Sequence, residues 1–158
     1  VAVADQHALH LLEFADRKAL PTELRRLLAT APGGIAIGTT PVIAQARTEL
    51  AAYFAGENSN FTVPMAPPGS DFTKSVWDQL CQIPAGQTRS YGQIAAQLGR
   101  PSATRAVARA NGANQIAIMI PCHRVLGADG SLTGYGGGLW RKDQLITLEK
   151  HYAQQERP

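Results

Sequence analysis

Cys122 and His123 stand side by side in the hexapeptide IPCHRV, residues 120–125. A thiol next to an imidazole suggests a nucleophile with its base, because the thiolate rather than the thiol attacks. Neighbours on an extended chain, however, point to opposite sides. Either the pair is accidental, or something bridges it. A sharp turn after Pro121 would bring the two together, and a water between sulfur and ring would connect them without a direct bond. A carboxylate on the other ring nitrogen would then fix the tautomer and stabilise the imidazolium. Glu149 is the candidate: in LWRKDQLITLEKHYAQ it shares a helix face with Leu145 and Leu148, although a helical Glu is ordinarily a surface charge. Such a Cys–water–His–Glu relay predicts a lowered pKa for Cys122.

The elements that must position this relay are legible around it. DFTKSVWDQLCQI repeats Phe72, Val76 and Leu80 every four residues and reads as a helix. After the loop IPAGQTRS, SYGQIAAQLG has Ser90 as its cap, Gln93 completing a capping box and Gly99 as its stop. RPS turns the chain, and ATRAVARAN reads as a second short helix from about Ala103 to Ala110. A helix, a turn of three to four residues and a helix is helix-turn-helix spacing. In the second helix Ala103, Ala106, Val107 and Ala110 form the buried stripe, while Arg105 and Arg109 share another face. So few long polar side chains can read little of a base edge in the major groove. The slimness instead allows close approach to a narrower groove, with arginines on phosphates or wedged into the stack. QIAIMI follows as an apolar run, expected to be a buried strand or extended segment that carries Pro121, Cys122 and His123 at its end. GADGS reads as a turn and TGYGGG as a glycine-rich loop.

Composition narrows the class. The chain has 158 residues, 44% hydrophobic and 17% charged, which suits one or two globular domains. No apolar stretch is long enough to span a bilayer, and the start lacks the basic region and cleavage site of a signal peptide. Beginning at Val1 without an initiator methionine, the chain reads as a fragment, the C-terminal part of a larger protein. Its two cysteines, Cys81 and Cys122, match no zinc spacing and no disulfide framework, pointing to a reducing, cytoplasmic compartment. Cys81, on an apolar helix pattern, reads as a buried structural thiol. Residues 1–69 carry five basic and six acidic side chains; residues 70–158 carry ten and six. From Arg89 to Arg124 there are five arginines, Arg89, Arg100, Arg105, Arg109 and Arg124, and no acid. A basic face of this kind suits a polyanion, since each neutralised phosphate releases counterions.

In the first half, VAVADQHALHLLEF reads as a hairpin-like pair of strands about the Asp5–His7 turn, and PTELRRLLAT as a short helix. His7 and His10 suggest a metal pair only until a third ligand is sought; none is evident. TTPVIAQARTELAAYFAG has a Thr40 cap, Pro41 in the first turn, Ile43, Leu50 and Phe54 along one side and Gly56 at the stop. TVPMAPPGS, Thr62 to Ser70, reads as a link to a second domain.

With IPCHRV and its flanks assembled, the chain resembles the O6-alkylguanine-DNA alkyltransferases, the methylated-DNA–protein-cysteine methyltransferases, over at least residues 70–150 and more weakly before them. The resemblance implies an α+β N-terminal domain, a small sheet with helices that is ribonuclease-H-like, over 1–66, and a mainly α C-terminal alkyltransferase domain with a DNA-binding helix-turn-helix over 70–158. It implies that Cys122 accepts the alkyl group, with His123 and Glu149 completing the relay. Arg105 matches the arginine finger that replaces the extruded nucleotide, and Tyr91 the tyrosine that helps rotate the target's phosphate. Asn114 in NGANQ matches the asparagine hinge, and Tyr135 in GYGGG the tyrosine that hydrogen-bonds the flipped guanine. Tyr91, Arg105, Ala106, Arg109 and Arg124 are the expected DNA contacts. Gln115 stands where the family commonly has proline after the hinge. The zinc bound by some relatives is not expected, nor is any other cofactor.

The implied activity is direct repair: stoichiometric, irreversible transfer of the alkyl group from O6-alkylguanine, and from O4-alkylthymine, in double-stranded DNA to Cys122. It would be carried out by a monomer in the cytoplasm, on the nucleoid when bound to DNA, with no membrane partner. Two other readings compete. A damage-sensing relative binds alkylated DNA without repairing it but lacks the cysteine. A cysteine–histidine hydrolase of small molecules would not explain the helix-turn-helix or the acid-free arginine region.

Overall fold

The computed structural model describes the backbone of residues 1–155 and the side chains of residues 1–151. The chain opens with the expected hairpin, β1 (Ala2–Ala4) antiparallel to β2 (Leu9–Leu12). Asp5 makes its turn: Oδ1 accepts from the amides of His7 and Ala8, the local bonding that suits Asp to tight reversals. His10 completes the turn through Asp5 and the Ala66 carbonyl, so it serves the hairpin. Leu9 and Leu11 alternate into the core.

Helix α1 covers Leu20–Thr30 and α2 covers Pro41–Ala55. The α2 signals act as read: Thr40 Oγ1 accepts from the Ile43 amide, and Gly56 closes the helix in the left-handed region at φ 85°. Its buried face is shifted from the expected one. Val42, Ala46 and Tyr53 are buried, whereas Phe54 is 54% exposed. Both stripes of this helix are apolar, so periodicity alone does not choose between them.

The segment expected to be a linker is pinned. The Leu9 amide donates to the Pro64 carbonyl at 2.8 Å and the Ala66 amide to the Leu9 carbonyl at 2.9 Å, laying the chain along β2. Beyond it, α3 (Asp71–Cys81) starts from a Ser70 cap and buries Val76, Trp77 and Leu80. The short β3 (Arg89–Ser90) leads directly into α4 (Tyr91–Gln97), whose capping box between Ser90 and Gln93 is formed on both sides. A single turn of 3-10 helix at Pro101–Ala103 precedes α5 (Thr104–Gly112). Helices α4 and α5 are the helix-turn-helix, and Val107 and Ala110 bury its second member against α3, where Trp77 Nε1 donates to the Ala110 carbonyl at 2.9 Å.

QIAIMI is buried as expected but is not a strand. It curls into a turn in which Ile120 N donates to Ile116 O and Met119 N to Ala117 O, with only the Leu12–Ile116 bridge reaching a strand. Ile118 sits at φ 72°, a left-handed conformation that costs a β-branched residue about 1–3 kcal/mol. An apolar run reports burial and not backbone shape, which is why the sequence favoured an extended segment. The turn ends in 3-10 helix at Cys122–Arg124, then β4 (Val125–Leu126), which pairs in parallel with β3. A glycine-rich loop leads to α6 (Leu139–Gln155). Leu9, Val42, Ala46 and Val63 from the first half pack in one cluster with Trp77, Leu80, Ile94, Val107, Ile120 and Cys122 from the second. The architecture is a small sheet with helices followed by a mainly helical part containing a helix-turn-helix. Residues 156–158 of the expected second domain lie outside the described residues.

Candidate active site around Cys122

The 3-10 turn after Pro121 resolves how adjacent residues share a site. With three residues per turn, successive side chains diverge by about 120° rather than 180°. Cys122, His123 and Arg124 are all buried, the sulfur meeting Asn114 while His123 and Arg124 converge on Glu149. The Cys122 sulfur accepts from Asn114 Nδ2 at 3.0 Å. His123 is fully buried, with Nε2 2.8 Å from Glu149 Oε1 on α6. Its Nδ1 is buried and has no hydrogen-bond partner among the described residues.

Glu149 faces inward, as the helix pattern suggested, and is 1% exposed. Burial would raise its pKa, but the hydrogen bonds from His123 and Arg124 outweigh that and hold it at about 2. An ionised carboxylate can only accept, so His123 Nε2 carries the proton and Nδ1 is left as the basic lone pair. Burial also lowers the His123 pKa against the pull of Glu149, keeping the ring neutral. The site thus holds a neutral base whose free nitrogen looks for a proton.

Two expectations are corrected. Arg124 was expected to contact DNA, yet it is 5% exposed. Its Nε and Nη2 reach the two Glu149 oxygens at 2.8 and 2.7 Å, and Nη1 donates to the Ile83 carbonyl. A buried carboxylate needs a counter-charge, and Arg124 supplies it. The thiol, expected to have a lowered pKa, is pushed up to about 11: burial dominates over the Asn114 donor, and the Glu13 carboxylate adds to it, while Arg17 and Lys142 pull the other way. Cys122 therefore rests as a thiol.

Asn114 ties the sulfur to the helix-turn-helix. It stands just beyond α5, after the cap Ala113, and besides Cys122 its Nδ2 donates to the Ile116 and Ile120 carbonyls at 3.2 and 2.9 Å, while Oδ1 accepts from the Ile116 amide. It bridges α5, the buried turn and the sulfur. Gln115 reaches back to the Pro68 carbonyl.

Tyr91 and Tyr135 are both half-buried. The Tyr91 hydroxyl lies 3.5 Å from the Thr133 carbonyl on the glycine-rich loop. The Tyr135 hydroxyl is buried and unpartnered among the described residues, and burial raises its pKa far above the usual phenol range. On α5, Arg105 and Arg109 are exposed, one turn apart on an outer face, and Ala106, expected in the buried stripe, is half-buried. Arg100 instead lies over the Phe72 ring, 5.5 Å from its centroid. Cys81, expected to be buried, is exposed at the helix end.

Five contributors escaped the sequence reading. Tyr53 on α2, fully buried, donates to Glu149 Oε1 at 2.8 Å. Lys142 on α6 is fully buried and gives Nζ to the Val125 and Thr133 carbonyls, closing the loop between them; burial lowers its pKa to about 8. Arg17 bridges Glu13 at 2.6 Å and Glu23 at 2.9 Å and presses against Gly136, beside Tyr135. Burial, reinforced by Glu23 against the pull of Arg17, raises Glu13 to about 7. The one available hint for this last trio was two acids and an arginine close together next to an apolar strand. Among the described residues no group of three or more His, Cys, Asp or Glu side chains could hold a metal ion, and no helix is long and apolar enough to cross a membrane.

Comparison with known proteins bears on this site. Residues 71–151 match the family model described as 6-O-methylguanine DNA methyltransferase, DNA binding domain. The chain is 49% identical over 145 residues to the methylated-DNA–protein-cysteine methyltransferase of Mycolicibacterium paratuberculosis, covering 90% of this chain and 88% of that one. Among solved structures it is similar to Mycobacterium tuberculosis OGT in complex with DNA, with a TM-score of 0.79 and 42% identity over 96% of this chain and 86% of that chain. It is also similar to the O6-methylguanine-DNA methyltransferase of the archaeon Pyrococcus kodakaraensis, with a TM-score of 0.70 and 26% identity over 94% and 89% of the two chains.

Proposed function

The chain belongs to the methylated-DNA–protein-cysteine methyltransferase family, DNA-repair methyltransferases acting on O6-methylguanine, and on that premise we propose that Cys122 takes the alkyl group itself, once, and keeps it. The observation that carries this reading is a buried Cys122 sulfur next in the chain to a buried imidazole whose Nε2 is taken by Glu149 and whose Nδ1 has no partner among the described residues. In the reaction the thiol proton passes through a bridging water to His123 Nδ1, and Glu149 stabilises the imidazolium. The sulfur attacks the alkyl carbon, the carbon–oxygen bond breaks, and its electron pair leaves on the guanine oxygen. The product is a thioether. It offers no carbonyl carbon to water, so nothing regenerates the thiol. O4-alkylthymine presents the same kind of alkyl–oxygen bond and falls within the reading.

An alkyl carbon inside a duplex is buried in the stack, so the nucleotide must be turned out. Arg105 would fill the gap it leaves, Tyr91 would turn its phosphate, and Ala106 and Arg109 would meet the backbone. Tyr135 would hydrogen-bond the extruded guanine, and Asn114 would act as the hinge. Residues 1–66 and 70–158 are two domains in this reading, and a monomer in the cytoplasm carries the whole activity. The test is intact-mass analysis after incubation with an O6-methylguanine duplex. The expected result is one methyl group per chain, located on Cys122 and absent from Cys122→Ala. More than one turnover per chain without an added acceptor, or a methyl group elsewhere, would overturn it.

A further inference from the structure

The relay described above ends on a residue outside the helix-turn-helix half. Tyr53 comes from α2, is fully buried, and directs its hydroxyl to Glu149 Oε1 at 2.8 Å. That same oxygen accepts from His123 Nε2 at 2.8 Å and Arg124 Nη2 at 2.7 Å. Three donors converge on the atom that sets the basicity of the imidazole. Glu149 Oε2, by contrast, takes Arg124 Nε. Tyr53 is itself fixed from its own side, with the Phe61 ring 5.5 Å and the Phe54 ring 5.2 Å away. It packs with Ala117, Ile118 and Leu145, which belong to the buried turn and α6.

We propose that Tyr53 is a positioning residue of the alkyl-transfer relay, through which the N-terminal half sets the proton affinity of His123. The proposal rests on the relay reading given above. A hydrogen bond to a charged carboxylate is stronger than a neutral one and withdraws charge from it. With the Tyr53 donor in place, Glu149 attracts the imidazolium less; without it, the carboxylate is more basic and His123 holds a proton to higher pH. Arg124 makes the same oxygen stable enough to stay buried, whereas the Tyr53 hydroxyl can be removed with the ring kept. The polar surroundings of Glu149 also decide the sign. Beside Tyr53, the groups that meet it are His123 and Arg124, both donors and both kept in the variant.

The experiment measures the rate of Cys122 alkylation by the free base O6-benzylguanine from pH 5 to 9, by intact mass, in wild type, Tyr53→Phe and Glu149→Gln. Wild type is expected to lose rate on the acid side as His123 protonates, and Glu149→Gln to move that limb to lower pH. In Tyr53→Phe the limb moves the other way, to higher pH, slowing the reaction about threefold on the acid side, a modest share of one charged hydrogen bond. A second variant keeps the ring and strengthens the donor: 3-fluorotyrosine placed at position 53 alone moves the limb to lower pH. A uniform loss of rate at all pH values, with the limb unmoved in both variants, means that Tyr53 only supports the fold and overturns the proposal. A wild-type profile without a limb that responds to Glu149→Gln removes the relay reading, and the proposal falls with it.

Discussion

Arg124 illustrates how a residue's neighbours override its type. Its charge placed it on a DNA-facing surface, but the Glu149 carboxylate, 1% exposed, captures it. The two readings predict different losses. Arg124→Ala strands a buried carboxylate with one counter-charge removed, a change that typically costs about 3–5 kcal/mol. The expected outcome is a large drop in the urea midpoint with little change in the salt slope of DNA binding. A reduced slope in a fully stable variant would restore the phosphate contact. The thiol makes a second residue-scale prediction. With its pKa pushed up to about 11 by burial, Cys122 is protonated across the physiological range. Its reaction with iodoacetamide is expected to stay slow through pH 9 and to accelerate only above it, while alkyl transfer from a bound base proceeds at neutral pH. A thiol that titrates near pH 6 with iodoacetamide would show that the resting protein already holds a thiolate.

Elements carry the division of labour between recognition and chemistry. Arg105 is exposed on α5, on the opposite side of that helix from Val107 and Ala110, which face the core. Arg105→Ala is expected to slow repair of duplex DNA far more than reaction with O6-benzylguanine, since unstacking a base costs a few kcal/mol and the free base pays none of it. Equal losses on both substrates would place Arg105 in the pocket or the fold instead. The glycine-rich loop shows the opposite pattern. A Cβ on Gly136 would collide with Arg17 Nη1, and one on Gly137 would lie 2.6 Å from the Phe14 ring. Arg17 cannot retreat freely because Glu13 and Glu23 both hold it. Gly136→Ala is therefore expected to displace Tyr135 and to slow both substrates alike, with Arg17→Ala in the same chain restoring part of the rate; no recovery in the double variant would deny the contact. The elements legible in the sequence were those that local chemistry specifies: the Ser90–Gln93 box, the Thr40 cap and the Gly56 stop each operate within four residues. Illegible were the curl of Gln115–Ile120 and the buried face of α2, because both depend on what packs against an apolar run. The same distinction holds in the site. His123 and Glu149 could be paired from a helix face, but Tyr53 lies 96 positions from Glu149, and no local pattern reports such a meeting.

At the scale of the whole molecule, the two halves share one core and one set of buried charges, so proton binding and alkylation act on global stability. Glu13, raised to about 7 from an ordinary 4.5, binds its proton more tightly when folded. Its contribution is fully present below about pH 4.5 and lost as pH rises through 7. Glu149, held at about 2, contributes above about 4.5 and loses it as pH falls towards 2. Thermal unfolding is expected to show highest stability between these limits, and Glu13→Gln to remove the decline on the alkaline side. Alkylation strikes the same core. Cys122 is 6% exposed, packed in the cluster that joins Leu9 and Val63 to Trp77 and Val107, and its sulfur accepts from an Asn114 amide that also holds the Ile116 and Ile120 carbonyls. A methyl group on that sulfur adds volume to a buried, packed site and presses on Asn114, which follows the α5 cap Ala113. Overpacking of this kind costs about 1–3 kcal/mol. For a chain of this size each kcal/mol lowers the melting temperature by roughly 2–4 °C. Full methylation is thus expected to lower the melting temperature by several degrees and benzylation by more, because the larger group has further to push. The strain should also reach α5 through Asn114, so methylated protein is expected to bind undamaged DNA more weakly than the free thiol form at equal salt. Differential scanning calorimetry and a DNA titration on one alkylated sample test both consequences together. A melting temperature unchanged by benzylation would mean that the pocket already has room for the group. A lowered melting temperature with unchanged DNA affinity would confine the strain to the core and deny the path through Asn114.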